Sequence, residues 1–212
     1  MKRKLMLLAF AITAYSQSVT FDGNKDDRNE QDRAARAFYS RYTASASRES
    51  WQRPSLVISA LNLSPSELMA AFGDSDAYFT RQMTGLTSNV YLVNSGRALD
   101  AATKELPFNV IPVNGDVTAL KSKGRPVDTV FVYDTLNTIP DHVAFFRSLT
   151  DLLKPQGRVV VIDFFKGTPP AGLPPEQRNS EATVTKEMAA AGFRLDQKFE
   201  SLPFQFFLIF KR

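Results

Sequence analysis

The chain predicts an α/β fold, a mostly parallel sheet with helices on both faces and an antiparallel hairpin at the C-terminal end. Two observations predict it. Short runs rich in Val, Ile and Phe alternate with longer mixed segments such as Ser95–Leu106, Asp141–Leu153 and Ser180–Gly192. That spacing suits buried strands joined by helical crossovers. The last two apolar runs, Phe193–Phe199 and Phe204–Lys211, are joined by a link too short for such a crossover, which leaves a hairpin. With 212 residues, 43% of them hydrophobic, the chain is long enough for one well-buried core in one domain.

Taken in order, strands are expected near Glu67–Phe72, Asn89–Asn94, Val110–Val113, Thr129–Asp134 and Val159–Phe164. After the first run, Gly73-Asp-Ser-Asp76 reads as a polar turn in which Asp or Ser caps the helix starting near Tyr78. Asn94 ends the second run, where it starts a turn or caps a helix near Ser95, and Gly115-Asp116 follows the third. Asp134 and Asp163 end the fourth and fifth. Open α/β sheets place ligand groups at such strand ends, and Asp also begins turns there. Asp141 is a candidate cap for the next helix, and His142 is expected to be a surface residue of its first turn. Gly167–Pro175 holds four prolines and two glycines and reads as a semi-rigid loop over the carboxyl edge of the sheet, either a substrate lid or a plain connector.

The inventory for independent chemistry is thin. There is no cysteine and one histidine, so no thiolate nucleophile, disulfide or histidine-based zinc cluster is available. The ends of the chain also matter. Met1-Lys-Arg-Lys4 is a positive segment, Leu5–Ala14 is apolar, and Ala14-Tyr-Ser16 places small residues where a signal peptidase reads them. Residues 1–16 therefore read as a secretory signal and 17–47 as a helical or flexible lead-in, and residues 48–212 form the folded domain of a periplasmic or secreted protein. The apolar run is too short to span a bilayer of about 30 Å hydrocarbon thickness, so no transmembrane segment is expected in the mature chain. Three of the charges behind the net +4 leave with Lys2, Arg3 and Lys4, so +1 remains. Mixed charge of that size does not point to a nucleic-acid partner, and leaves an unknown small molecule or protein.

An ordered set of segments resembles the class I S-adenosylmethionine-dependent methyltransferases, from about Arg48 onward. The segments are Ser50-Trp-Gln-Arg-Pro-Ser55, the loop Leu68–Thr80, Gly115-Asp116, Val127–Leu136, Leu152–Phe164, Pro174–Arg178 and Leu202–Phe210. The resemblance implies a Rossmann-like fold and S-adenosylmethionine as cofactor. It also implies a cofactor-binding set of Gly73, Ser75, Ala77, Asn94, Asp116 and Asp134, with no metal; catalytic residues stay unassigned.

Several of these positions depart from the family pattern. Aligned on Tyr78-Phe79-Thr80, the family's loop acid falls on Ala71 and its three glycines on Gly73, Ser75 and Ala77. A residue at positive φ costs roughly 1–2 kcal/mol when it is not glycine, and a side chain aimed at the ligand adds a collision. The acid that takes both ribose hydroxyls is replaced by Asn94, whose amide accepts through one oxygen and without charge assistance. Asn137-Thr138 and Gln177 stand where similar proteins often carry histidines. Together these changes imply a degenerate homologue with weak or no S-adenosylmethionine binding, acting as a secreted binding module. The alternative is an active methyltransferase with a divergent loop and an unknown acceptor.

Overall fold

A computed structural model describes residues 48–74, 76–94, 105–165 and 178–212. The expected signal and lead-in, Ser75, most of the segment after Asn94, and the proline-rich loop with Gln177 lie outside the described residues.

Two short helices, α1 (Arg48–Gln52) and α2 (Pro54–Leu61), precede β1 (Leu68–Phe72). Then come α3 (Tyr78–Met83), β2 (Asn89–Asn94), β3 (Val110–Asn114), α4 (Val117–Lys121) and β4 (Val127–Tyr133). A 3₁₀ turn (Leu136–Thr138) leads into α5 (His142–Leu149), β5 (Leu153–Phe164), α6 (Glu181–Ala190), β6 (Arg194–Phe199) and β7 (Gln205–Lys211). The seven strands pair in the order β3-β2-β1-β4-β5-β7-β6. All pairs through β5 are parallel, and β7 runs antiparallel to both β5 and β6.

Alternation along the strands divides the core between two faces. From β1, Leu68, Ala70 and Phe72 pack with Val117, Phe146, Leu149, Val184 and Met188 of α4, α5 and α6. Met69 and Ala71 face the other way, with Val57 and Leu61 of α2 and Phe79 and Met83 of α3. Helices thus cover both faces, and the expected architecture holds. One boundary moves. β5 begins at Leu153, six residues before the expected Val159, because Leu153 already pairs with Val127 ahead of a register shift. Gly157 sits in that irregular stretch, where a Cβ would lie 3.1 Å from the Asp128 carbonyl and 2.8 Å from Leu153.

The strand order reverses between β1 and β4, since β1 leads outward to β2 and β3 while β4 starts the other half. Open α/β sheets bind ligands outside the carboxyl ends of the strands at such a crossing.

Candidate functional site

At the carboxyl end of β1 the chain turns at Gly73, with φ +83°. A Cβ there would lie 2.1 Å from the main-chain oxygen of Tyr133 and 2.5 Å from Cβ of Thr135. Glycine is therefore demanded by the neighbouring β4 itself, whatever is bound. Asp74 follows, fully buried, and its carboxylate accepts from Thr80 N at 2.7 Å and Phe79 N at 3.3 Å. This is the expected cap of α3. Burial raises the Asp74 carboxyl above its ordinary range, against the pull of those hydrogen bonds.

Ala77 takes φ +56° immediately before α3, so the left-handed conformation of a glycine position persists with an alanine in it. Its backbone strain is that of the expected non-glycine residue at positive φ. Ala77 is fully buried in the cluster of Phe79 and Met83, and its Cβ is part of the core. Ala71, in place of the loop acid, is likewise a core residue of β1.

Asn94, the last residue of β2, is nearly buried, and its Nδ2 donates to the Asp74 main-chain oxygen at 3.5 Å. Its Oδ1 is the one acceptor left for a hydroxyl at that strand end. Asp116 is exposed at the end of β3, where Oδ1 accepts from Thr118 N at 2.8 Å and Ala119 N at 3.3 Å and caps α4. Asp134 follows β4 with φ +44°, and its N–H donates to the Ile162 oxygen at 3.0 Å. Gly73, Asn94, Asp116 and Asp134 therefore sit at the carboxyl ends of β1, β2, β3 and β4, along one sheet edge. Ala77 lies in the loop from β1 with its side chain turned inward, and Ser75 lies outside the described residues.

A methyltransferase domain model matches residues 70–161, the segment from β1 into β5. The fold is similar to that of a SAM-dependent methyltransferase from Aquifex aeolicus, with TM-score 0.71 at 19% identity over 80% of this chain and 95% of that one. It is also similar to a putative type 11 methyltransferase from Sulfolobus solfataricus, at 21% identity and TM-score 0.59 over 68% and 83% of the two chains. A third likeness is to DhpI, solved as a complex with S-adenosylhomocysteine, at 19% identity and TM-score 0.62 over 86% and 95%. No curated protein matches the chain.

The chain has the class I methyltransferase fold.

On this methyltransferase fold, a second group of polar residues lies past the end of β4. Asp163 of β5 is buried and accepts from Phe164 N at 2.7 Å and from Leu136 N at 3.4 Å. Burial pushes its carboxyl up to about 6, although Arg178 and His142 pull the other way. Arg178 donates to the Phe165 oxygen at 3.4 Å and lies 5.4 Å from the Phe164 ring centre. Its burial disfavours the guanidinium charge, and Asp134 and Asp163 restore part of it.

His142 corrects the sequence expectation in part. It lies in the first turn of α5 as expected and lines the cleft there, but its side chain is only 12% exposed, with Nδ1 2.8 Å from Glu187 Oε2 and Nε2 2.7 Å from the Leu136 oxygen. The expected exposure failed because helix α6, which supplies Glu187, packs beside α5 from 45 residues away. Asp141 does cap α5, accepting from Ala144 N at 2.9 Å. The 3₁₀ turn, the start of α5 and α6 enclose a cleft of about 460 Å³ lined by Asn137, Ile139, Asp141, Asn179 and Glu187 among others.

The methyltransferase-fold edge is also covered by α1, which sequence reasoning matched without assigning roles. The buried Arg48 pairs with Asp76 of the β1 loop and lies 3.7 Å from the Tyr78 ring centre. Tyr78 donates to Glu49, and burial together with that carboxylate raises its phenol. Trp51 packs against Phe164 and Phe204 at 5.6 and 6.4 Å between ring centres. Among the described residues there is no group of His, Cys, Asp and Glu able to hold a metal, and no helix long and apolar enough to cross a membrane.

Proposed function

We propose that this is an exported protein of the methyltransferase fold whose site binds S-adenosylmethionine weakly, and which serves as a binding module for a small molecule or a protein. Asn94 carries this reading. It stands at the end of β2, where the resemblance places a ribose-binding carboxylate, and its amide nitrogen already turns to the Asp74 carbonyl. Two lost charge-assisted bonds at about 1–2 kcal/mol each lower affinity by roughly 10¹ to 10³. A micromolar site would become a high-micromolar to millimolar one.

The loop itself fits the cofactor better than its sequence implies. Gly73 and Ala77 hold left-handed backbone, and Ala77 is fully buried among Phe79 and Met83. Gly73 and Ala77 would set the loop backbone beneath the ligand, Asn94 Oδ1 would accept one ribose hydroxyl, and Asp116 and Asp134 would flank the two ends. S-adenosylmethionine supplies a sulfonium methyl group to a nucleophile brought into line with it. That retained loop conformation favours, as a second reading, a working methyltransferase that transfers the methyl mainly by proximity and alignment.

Export rests on the Lys-Arg-Lys, apolar and Ala-x-Ser pattern of residues 1–16. N-terminal sequencing of the mature protein is expected to begin near Gln17 in a fraction outside the cytoplasm. A cytoplasmic product that retains residues upstream of Leu5 contradicts export.

Repair tests the site. Asn94→Asp, alone and with Ser75→Gly and Ala77→Gly, is expected to tighten S-adenosylmethionine binding in calorimetric titration, with most of the gain from Asn94→Asp. No gain despite intact folding contradicts the proposed loss at Asn94.

A further inference from the structure

His142 is the only histidine of the chain, and both its ring nitrogens face acceptors. The Leu136 carbonyl can only accept, so Nε2 donates to it. A neutral ring that donates from Nε2 has only a lone pair at Nδ1, turned toward the Glu187 carboxylate. The imidazolium alone donates on both sides. Leu136 is also held through its own N–H, which donates to Asp163. The residue before it, Thr135, packs on the Gly73 turn so closely that a Cβ on Gly73 would lie 2.5 Å from the Thr135 Cβ.

We propose that His142 is a positioning residue, whose ring bridges the Leu136 carbonyl and Glu187 of α6 and so holds the loop after β4 against the Gly73 turn. The proposal rests on the reading of Gly73 as part of a cofactor site. The groups facing the ring are Glu187 from α6, Asp163 from β5 and the Leu136 carbonyl from the 3₁₀ turn. Asp141 caps its own helix, and Arg178 stands beside Asp163. Loss of one ring proton removes the donor from one of the two bonds and loosens the Leu136 oxygen or Glu187. At the acid end the limit is Asp163, whose carboxyl, pushed up to about 6, becomes a weaker acceptor for Leu136 N–H once protonated.

The single imidazole makes the test direct, because its ¹⁵N signals in the full-length chain need no assignment by mutation. As pH is raised, the amide signals of Leu136, Thr135 and Gly73 are expected to move on the same curve as the ring. In the same step, affinity for S-adenosylhomocysteine is expected to fall about fivefold, the worth of one ordinary hydrogen bond. Glu187→Gln keeps the fold and an amide oxygen for Nδ1–H but removes the charge, so a smaller alkaline loss of affinity is expected. His142→Gln is expected to bind more weakly with no alkaline step. Amides at Leu136 and Gly73 that stay still while the ring titrates overturn the proposal. If S-adenosylhomocysteine fails to bind at every pH, the cofactor reading fails, and the amide titration alone still decides the role of His142.

Discussion

Asn94 and Asp74 join the ends of β2 and β1: the Asn94 amide donates to the Asp74 main-chain oxygen across 3.5 Å. The contact is long for a hydrogen bond and contributes little stability. Its consequence is orientation. With Nδ2 turned to the β1 loop, the side chain has a single neutral acceptor for a hydroxyl, at the position where the resemblance implies a ribose-binding acid. An aspartate at this position would set a carboxylate oxygen against the Asp74 carbonyl, so Asn94→Asp is expected to lose some stability as it gains affinity.

Gly73→Ala is expected to destabilise the fold severely. The new Cβ meets the Tyr133 carbonyl at 2.1 Å, a main-chain atom of a central strand that cannot step aside, and φ +83° strains any L residue. Overpacking and left-handed strain together amount to roughly 3 kcal/mol or more. Urea denaturation measures it, and a loss below 1 kcal/mol contradicts the steric account.

Ala77→Gly behaves differently. Glycine relieves a φ of +56° but gives up a methyl in the core and adds freedom to the unfolded chain. These terms are each about 1 kcal/mol and oppose one another, so stability is expected to change little. Affinity for S-adenosylmethionine is expected to stay within a factor of about three, because the methyl is buried in the core cluster of Phe79 and Met83. A large gain in affinity means that the alanine does obstruct the site.

Asp163 predicts a pH dependence. Its carboxyl is raised in the fold to about 6 from the model-peptide value near 4, so the folded state binds the extra proton between those values. Its contribution therefore favours the fold at low pH and is lost as pH rises through about 6, by about 3 kcal/mol at most. Asp163→Asn removes that slope. Relative to the parent, the variant is expected to be less stable at pH 4.5 than at pH 7.5 in denaturant titrations. A difference that is the same at both pH values contradicts the burial argument.

The topology and the strand-end positions were legible in the sequence because they follow from local pattern. Val, Ile and Phe runs of strand length mark the sheet, and the short link before Phe204 marks the hairpin. Asp74 and Asp141 act within a few residues of their own helices. What stayed hidden depends on elements far apart in the chain. The direction of the Ala77 methyl is set by the packing of α3 on the sheet, and the double bonding of His142 needs α6 and the turn after β4 together. Arg178 was visible in the motif Pro174–Arg178, yet its place between Asp134 and Asp163 follows from the folding of β5 beside β4. The pairing of Arg48 with Asp76 had no signal in the spacing of either residue.

The direct measurement of the central claim is calorimetric titration of the purified protein with S-adenosylmethionine and S-adenosylhomocysteine. The neutral acceptor at Asn94 predicts dissociation constants from the high-micromolar into the millimolar range. A dissociation constant in the low micromolar range for either ligand contradicts the account.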